Sequence, residues 1–291
     1  MAQAIKRVGL VGNAEKISCA SLIAKAAKLI ARSGRRVCCD AVTARMCGLT
    51  SDVYPDTAAL TREVNLLLVF GGDGTMLRAA SETAGSRTPI LGINIGGLGF
   101  LTAVSSHEMP RALQQIWSGE FTLESRALIE ASGSCRGQPI SKCALNDFVV
   151  SRAIVSRLIT LEVSVDGELL TRYRCDGLLV SSPTGSTAYS LSAGGAVVYP
   201  TAEVFAITPI CPHTLSNRSV IVSLDSEILV RVVNPKPETI LSADGQGVSE
   251  LAAGDSITIR RSRNSVRLMH LAGSSFFDTL RRKLNWSGAH V

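Results

Sequence analysis

The feature that most restricts the fold is an apolar run that leads directly into a glycine turn. Leu66–Phe70 contains no polar side chain, the turn Gly71–Thr75 follows it, and Met76–Ala84 then has helical character. An apolar run of this length predicts a strand buried on both faces, as in parallel sheets covered by helices. In open α/β sheets, ligands bind where such strands end. The sequence therefore predicts a ligand site at this turn.

The rest of the first hundred residues alternates between the two kinds of element. We expect strands at Val8–Val11, Arg36–Asp40 and Pro89–Asn94, and a helix at Lys16–Arg32 that Gly34 ends. Alternation of this kind predicts a parallel sheet with helices on its faces. The N-terminal part is therefore expected to be a Rossmann-like α/β domain.

From about residue 120 the pattern indicates short strands only. Leu158–Asp166 alternates apolar and polar residues, and Asp166-Gly167 is a type I′ hairpin signal that leads into Glu168–Arg174. Further short strands are predicted, namely Val220–Ser223, Ile228–Val233 and Ser256–Arg260. The second part is thus predicted to be β-rich and β-sandwich-like, which makes the fold class α/β plus all-β.

We predict three segments: an N-terminal α/β domain at 1–103, an all-β domain at 104–270, and a C-terminal segment at 271–291. Phe277, Leu280 and Leu284 share one face of a short helix at Phe276–Leu284. We expect this helix to pack back on the N-terminal domain.

Composition excludes several classes of protein. With 46% apolar and 19% charged residues, the 291-residue chain is not of the disordered type, and its longest apolar runs are too short to cross a membrane. The N-terminus carries no apolar stretch of signal-peptide length, so we expect a cytoplasmic protein. The eight cysteines form no CxxC pair and the four histidines are scattered, so we expect reduced thiols and no zinc site.

The net charge of +6 is concentrated at one end. Residues 256–291 contain seven basic residues and one acidic residue, so the remainder of the chain is neutral overall. A basic segment can bind nucleic acid, but no aromatic side chains alternate with these arginines as stacking platforms. We therefore expect a solvated basic face that helps to gather an anionic substrate, and no nucleic-acid partner.

The turn Gly71–Thr75 is suited to binding phosphate, because glycines allow close backbone approach and a helix begins there. It is neither a Walker A loop nor a GxGxxG fingerprint. A carboxylate at Asp73 would repel phosphate unless it accepts a proton, binds a metal or holds a ribose hydroxyl. The alternative is an ordinary Asp-Gly turn in which Asp73 caps the helix. A second cluster, Asp176–Gly195, is rich in Ser, Thr and Gly and suits a ribose- and phosphate-bearing ligand, or is a polar connecting loop.

Together these segments resemble the NAD kinase family. The matching segments are Gly71–Thr75, Asn94–Leu101, Asn146-Asp147, Asp176–Gly195, Thr208–His213 and Asp244–Gln246. The GGDGT turn is shared with diacylglycerol and sphingosine kinases and, in variant form, phosphofructokinases. The block Pro183–Tyr189 is much more specific and is typical of NAD kinases.

The resemblance implies transfer of the γ-phosphoryl group of ATP to the 2′-hydroxyl of the adenosine ribose of NAD. It also implies Mg²⁺ carried with ATP, substrate bound between an α/β and an all-β domain, and a homodimer or homotetramer. Asp73 is implied as the proton acceptor. The implied substrate-binding residues are Asp73, Gly74, Asn146, Asp147, Arg157, Arg174, Asp176, Thr187, Ala188, Tyr189, Ser190, Leu191, Ser192 and Gln246. Those implied to face the ATP phosphates are Gly71, Gly72, Gly74 and Thr75.

One departure from the family pattern affects these roles, and one histidine in a matching segment needs a role. Asp147 stands where Glu is frequent, so its contact to ribose is expected to be angled differently or to run through water. His213 is expected to be structural, since Asp73 already fills the role of base. Two alternative functions remain: a lipid or sugar kinase that uses the same glycine turn, and a non-catalytic dinucleotide sensor. A lipid kinase should carry a membrane-binding helix, and the only candidate, Phe276–Leu284, is short.

Overall fold

The computed structural model describes residues 5–286 apart from 15, 51, 98, 103, 154–156, 215 and 235–237. Leu98 of the predicted Asn94–Leu101 turn and residues 287–291 of the predicted C-terminal segment lie outside the described residues. The elements up to residue 135 are β1 (Arg7–Gly12), α1 (Ile17–Arg32), β2 (Arg36–Asp40), α2 (Ala41–Cys47), β3 (Val53–Tyr54), α3 (Thr57–Glu63), β4 (Leu66–Gly71), α4 (Asp73–Glu82), β5 (Ile90–Asn94), β6 (Val104–Ser105), α5 (Met109–Ser118) and β7 (Phe121–Cys135).

The remaining elements are mostly strands. They are β8 (Gln138–Ala144), β9 (Asp147–Arg152), β10 (Ile159–Val165), β11 (Glu168–Cys175), β12 (Gly177–Ser181), a 3-10 turn (Thr184–Thr187), α6 (Tyr189–Ser192), β13 (Val204–Ile210), β14 (Val220–Ser223), β15 (Ile228–Val232), β16 (Thr239–Ala243), β17 (Gln246–Leu251), β18 (Ser256–Leu271) and α7 (Phe276–Leu284).

The chain forms two compact units. The first combines Met1–Ser125 with Val266–Val291, and the second is Arg126–Ser265. The chain therefore leaves the first unit within β7 and returns to it within β18. Of the boundaries predicted from the sequence, the one at 103/104 lies before β7, and the one at 270/271 lies at the end of β18.

The first unit is built on a parallel sheet in the order β3-β2-β1-β4-β5, with β6 and the last part of β18 also paired to β5. β4 is buried along its whole length, as its apolar sequence predicts. The chain moves from β1 to β2 on one side and from β4 to β5 on the other. This places a topological switch point between β1 and β4, where Gly12 pairs with Phe70.

Several helices of the first unit begin at acidic residues. Asp40 caps α2 by accepting a 2.7 Å hydrogen bond from the N–H of Thr43, and Asp56 caps α3 in the same way. α4 begins at Asp73, earlier than the predicted start at Met76. The earlier start is favourable because Gly72 supplies the extended residue before the helix and an acidic residue suits the first turn.

The second unit consists of two antiparallel sheets that share one core. Their strand orders are β14-β13-β12-β9-β16-β17 and β11-β10-β15-β18. Phe148 and Phe205 of one sheet join Leu161 and Ile257 of the other in a single buried cluster. The predicted hairpin is present between β10 and β11, with positive φ at both turn residues, as a type I′ turn requires. The predicted fold class, an α/β domain followed by a β-rich domain, is therefore confirmed.

The thiols and the basic segment have simple structural settings. None of the eight cysteines pairs with another, and most of them are buried. Arg260 pairs with Glu130, Arg261 with Glu203 and Asp225, and Arg281 with Asp278, all at the surface. In the described part of the chain, no helix is long and apolar enough to cross a membrane.

Candidate active site

The glycine turn of the first unit follows β4 at the switch point. A Cβ added at Gly71 would overlap the Thr75 side chain, so this glycine allows β4 to pack closely against α4. Positions 72 and 74 differ, because no atom lies within 4 Å of a Cβ built there. Neither glycine has a positive φ. Packing and backbone conformation therefore do not explain Gly72 and Gly74.

Thr75 has a mainly internal setting. It is buried, and its hydroxyl accepts a 3.4 Å hydrogen bond from the side-chain amide of Asn13, which follows β1. The backbone N–H of Asn13 also donates to the carbonyl of Phe70, at 3.1 Å. These contacts join the ends of β1 and β4 around the turn.

The Asp73 carboxylate binds a second turn of the first unit. It does not cap its own helix but accepts hydrogen bonds from the N–H groups of Phe100, at 2.8 Å, and Leu101, at 3.1 Å. The approach is close enough that a Cβ at Gly99 would overlap the carboxylate. The alternative of an ordinary helix-capping turn is therefore wrong for this side chain. Asp73 is half-buried, and its Oδ2 atom, which accepts from Phe100, retains room for a further donor.

Asn94 fixes the turn that holds Asp73. Its side chain donates to the carbonyl of Gly97, at 2.7 Å, and to the Thr102 hydroxyl, at 2.9 Å, and it accepts from the N–H of Gly96. The Thr102 hydroxyl lies 3.5 Å from Asp73 Oδ1. Asp73 is thus held by backbone donors whose own positions are fixed at the end of β5.

Two cations missed by the sequence analysis lie at the same edge of the sheet. The Lys16 ammonium is 3.9 Å from the position of a Cβ built on Gly96, and an Arg78 guanidinium nitrogen donates to the carbonyl of Gly12 at 3.2 Å. Arg78 is in α4, four residues after Gly74, on the turn that follows the glycines. Neither residue belongs to a recognised motif. Only their positions in the sequence, shortly after β1 and β4, indicate that they could lie at this edge of the sheet.

In the second unit, Asn146 and Asp147 form a buried turn at the start of β9. Their exposed fractions are 8% and 4%. The Asp244 carboxylate accepts from three successive N–H groups, those of Leu145 at 2.9 Å, Asn146 at 2.7 Å and Asp147 at 3.3 Å. The pKa of Asp147 is raised from 3.8 to about 7, mainly because the group is buried and to a smaller extent because the Asp244 carboxylate is nearby. Burial also raises the pKa of Asp244, against the hydrogen bonds that lower it.

The hydroxyl-rich block packs onto the same turn. The Ser182 N–H donates to the carbonyl of Asn146 at 2.8 Å, and its hydroxyl donates to that of Leu145. A Cβ at Gly185 would overlap the Asn146 carbonyl, and the buried Arg126 donates to the Thr184 hydroxyl at 3.3 Å. Much of the block's hydrogen-bonding capacity is therefore used to build the turn.

The predicted contacts in 187–192 have different degrees of exposure. Ser190 is fully buried and its hydroxyl lies 3.4 Å from that of Thr208, whereas the Tyr189 side chain is 47% exposed. Thr187, Ala188 and Leu191 are half-buried, and Ser192 is exposed. Tyr189 and Ser192 are the members of the segment most open to a ligand.

The other predicted substrate contacts are more dispersed. Asp176 is held by Arg152 through two hydrogen bonds, at 2.8 Å and 2.9 Å. Arg174 and Arg157 are exposed, and the Arg174 carbonyl accepts from the N–H of His213 at 2.8 Å. Gln246 is exposed at the start of β17, in the hairpin that contains Asp244. In the described residues, the structure brings Asn146, Asp147, the hydroxyl-rich block and the Asp244–Gln246 hairpin together.

The chain matches two family models, the ATP-NAD kinase N-terminal domain over residues 8–121 and the ATP-NAD kinase C-terminal domain over residues 145–271. An NAD kinase of Paraburkholderia phytofirmans is 40% identical over 97% of this chain and 94% of its own. The chain belongs to the NAD kinase family. It is therefore a kinase that uses ATP and NAD as substrates. This assignment replaces the alternatives of a lipid or sugar kinase and of a dinucleotide sensor.

Two solved NAD kinase-type structures are similar to this fold. The crystal structure of yeast NADH kinase complexed with NADH has a TM-score of 0.86, at 25% identity, and covers 99% of this chain and 90% of its own. An NAD kinase from Archaeoglobus fulgidus in complex with ATP has a TM-score of 0.75, at 26% identity, and covers 97% of this chain and 100% of its own.

Proposed function

We propose that this NAD kinase transfers the γ-phosphoryl group of ATP to the 2′-hydroxyl of the adenosine ribose of NAD, with Asp73 as the general base. The ribose oxygen forms a bond to the γ-phosphorus, the bond from that phosphorus to the bridging oxygen of ADP breaks, and the hydroxyl proton passes to Asp73. The observation that carries the proposal is the Asp73 carboxylate, fixed by two backbone donors beside an open glycine turn.

This geometry suits a base better than a structural cap. A ribose hydroxyl is a weak nucleophile near neutral pH, and a carboxylate within hydrogen-bond reach contributes about 10²–10⁴-fold to such reactions. The two backbone donors hold the carboxylate in one orientation. Phosphoryl transfer otherwise requires mainly positioning and neutralisation of charge.

The ATP phosphates are proposed to lie over Gly72 and Gly74. Both positions have space for a side chain, so packing does not require glycine at either of them. Lys16 and Arg78 lie at the same sheet edge and contribute positive charge there. Mg²⁺ is proposed to arrive as the ATP complex, because it prefers phosphate oxygens and water as ligands. With the metal on the triphosphate, a nearby Asp73 carboxylate is no longer repelled.

The dinucleotide is proposed to contact the second unit through Asn146 and Asp147. Tyr189, Ser192, Arg174 and Gln246 are exposed and remain proposed contacts, as do the other predicted residues of the same segments. A homodimer or homotetramer is also proposed from the family resemblance, and sedimentation velocity over a range of protein concentrations tests it.

The test is NADP formation from ATP, NAD and Mg²⁺ by the wild type and the Asp73→Asn variant. We expect the kcat of the variant to fall by about 10²–10⁴-fold, with the circular dichroism spectrum unchanged. Asp56→Asn is the matched control, since Asp56 also accepts a backbone N–H in the first unit and should leave kcat unchanged. Wild-type turnover by Asp73→Asn would rule out the general base.

Thr102→Val separates chemistry from positioning. The substitution removes the Thr102 hydroxyl, which contacts both Asn94 and Asp73, but leaves the Asp73 carboxylate in place. We expect less than about tenfold loss of kcat, because the hydroxyl's contact to Asp73 is long, at 3.5 Å, and the two backbone donors still hold the carboxylate. A loss as large as that of Asp73→Asn would instead assign Asp73 a positioning role.

A further inference from the structure

Two carboxyl groups lie close together in the second unit, that of the buried Asp147 and that of the half-buried Asp244, and the function proposed above gives no role to Asp244. Asp147 is 4% exposed, and in the described part of the chain no donor binds its carboxyl group. Asp244 has the opposite setting, since its carboxylate accepts from the N–H groups of Leu145, Asn146 and Asp147. The Asp147 carboxyl group is thus left available, whereas the Asp244 carboxylate is engaged by the backbone of the turn that carries Asp147.

We propose that Asp244 is the positioning residue of the substrate site: its carboxylate gathers three successive backbone N–H groups and so directs the Asp147 side chain towards the dinucleotide. This inference rests on the contact between Asp147 and NAD proposed above. Asp244 itself does not touch the substrate in this scheme.

The requirement for a carboxylate follows from the number of donors. Three N–H groups converge on its two oxygens, and Oδ1 alone serves Asn146 and Asp147. An amide has one acceptor oxygen and would present its own NH₂ group to one of the donors. The backbone adds a second constraint, because Asp244 has a φ of +48°, a region that Asn and Asp tolerate better than most residues.

Comparison with a second hairpin shows which contacts Asp244 makes in addition to those of an ordinary turn aspartate. Asp166 occupies the same place in its own turn, with a φ of +51°, and its N–H and carboxylate both bind the backbone of Glu227. Asp244 has this same pair of contacts with Asp147 and adds Asn146 and Leu145. The pair of contacts that both aspartates make holds each hairpin to a neighbouring strand or turn. The contacts that only Asp244 makes, to Asn146 and Leu145, shape the turn at the proposed substrate site.

The arrangement has an electrostatic consequence for Asp147. The titratable group that acts on it is Asp244, and burial and this negative charge together raise the pKa of Asp147 to about 7. A charged carboxylate offers both of its oxygens as acceptors to two ribose hydroxyls, whereas the protonated form presents an O–H donor at one of them and binds such a pair more weakly. NAD affinity should therefore rise as pH increases through 7. Between pH 6 and pH 8 the ionised fraction, and hence the affinity, grows by about tenfold.

Calorimetric titration of the full-length protein with NAD, without ATP, tests the inference independently of turnover. We expect Asp244→Asn to raise the Kd and KM for NAD by about tenfold or more, with a much smaller change in kcat, because a hydrogen bond to a charged group is lost. The pH at which affinity rises should also move lower, because one of the two causes of the raised pKa is gone. Asp147→Asn should give a pH-independent Kd.

Asp166→Asn is the matched control, since it makes the same change in the same type of turn and should leave the Kd for NAD unchanged. Thermal melting of each variant confirms that it is folded. The inference is overturned if Asp244→Asn changes the Kd no more than Asp166→Asn does, or if its pH profile coincides with that of the wild type. If Asp147→Asn also leaves the Kd and pH profile unchanged, the proposed contact with NAD fails together with the inference. Neither result bears on Asp73, whose role is read from kcat.

Discussion

Three aspartates have different proposed roles because their local surroundings differ. Asp73 is half-buried and bound by two backbone donors, which leaves it able to accept a further proton or hydroxyl. Asp244 accepts hydrogen bonds from three backbone donors and organises a turn. Asp147 is buried beside a negative charge without a donor of its own in the described residues. Burial raises the pKa of both Asp147 and Asp244, so both charges are held at a cost to stability; for Asp147 the pKa is raised to about 7.

That cost should be measurable in the Asp147→Asn variant. The folded-state pKa of Asp147 lies above that of the unfolded chain, so the folded state binds more protons and wild-type stability falls as pH rises from about 4 to about 7. The variant lacks this loss. We expect its free energy of unfolding to exceed that of the wild type by a few kcal/mol at pH 8, and the two to converge near pH 4. Urea denaturation at both pH values checks this, with the exposed Asp225→Asn as control; a gain independent of pH would contradict it.

At the scale of elements, the sequence predicts best those segments whose pattern is local. β2, β14 and α7 have the predicted bounds, because alternation or helical spacing is complete within each segment. β7 was missed: its buried positions are irregular along its length, since the strand serves both units. The contact between Asp244 and Asn146 spans 98 residues of sequence, so no local pattern could reveal it. The family resemblance made Asn146 a predicted substrate contact and included Asp244 in a matching segment, but it did not show that Asp244 holds Asn146.

The glycine turn allows a prediction about a single element. Gly74→Ala adds a methyl group in open space within the first turn of α4, so it should preserve or raise the melting temperature, because alanine is favoured over glycine in helices by up to about 1 kcal/mol. Its KM for ATP should rise about tenfold or more, because the methyl group displaces the phosphates. Gly71→Ala is the comparison: there the methyl group meets Thr75 and the melting temperature should fall. Wild-type kinetics in Gly74→Ala would remove the phosphates from this position.

At the scale of the whole molecule, the first unit is discontinuous in sequence. Its N-terminal portion supplies the parallel sheet, and its C-terminal portion returns through the last part of β18, where Leu268 pairs with Ile90 of β5. Met269 joins the same buried cluster as the sheet residues. After this strand, α7 places the Lys283 ammonium 5.8 Å from the ring of Phe100, whose N–H binds Asp73. The end of the chain is therefore part of the α/β unit that holds the proposed base.

Truncation from the C-terminus should separate these contributions. A chain that ends at Ser265 lacks Val266, Leu268 and Met269, each no more than 3% exposed. Burial of side chains of this size contributes roughly 1.5–3 kcal/mol each, so their combined loss approaches the 5–15 kcal/mol by which typical domains are stable. We expect this chain to fail to fold its first unit, as seen by early proteolysis within residues 1–125. A chain that ends at Ser274 keeps these three residues and loses α7, with its buried Leu280, and the residues after it; it should stay folded with a melting temperature several degrees lower. Equal protease resistance of the two truncated chains would show that the returning strand is dispensable to the sheet it joins.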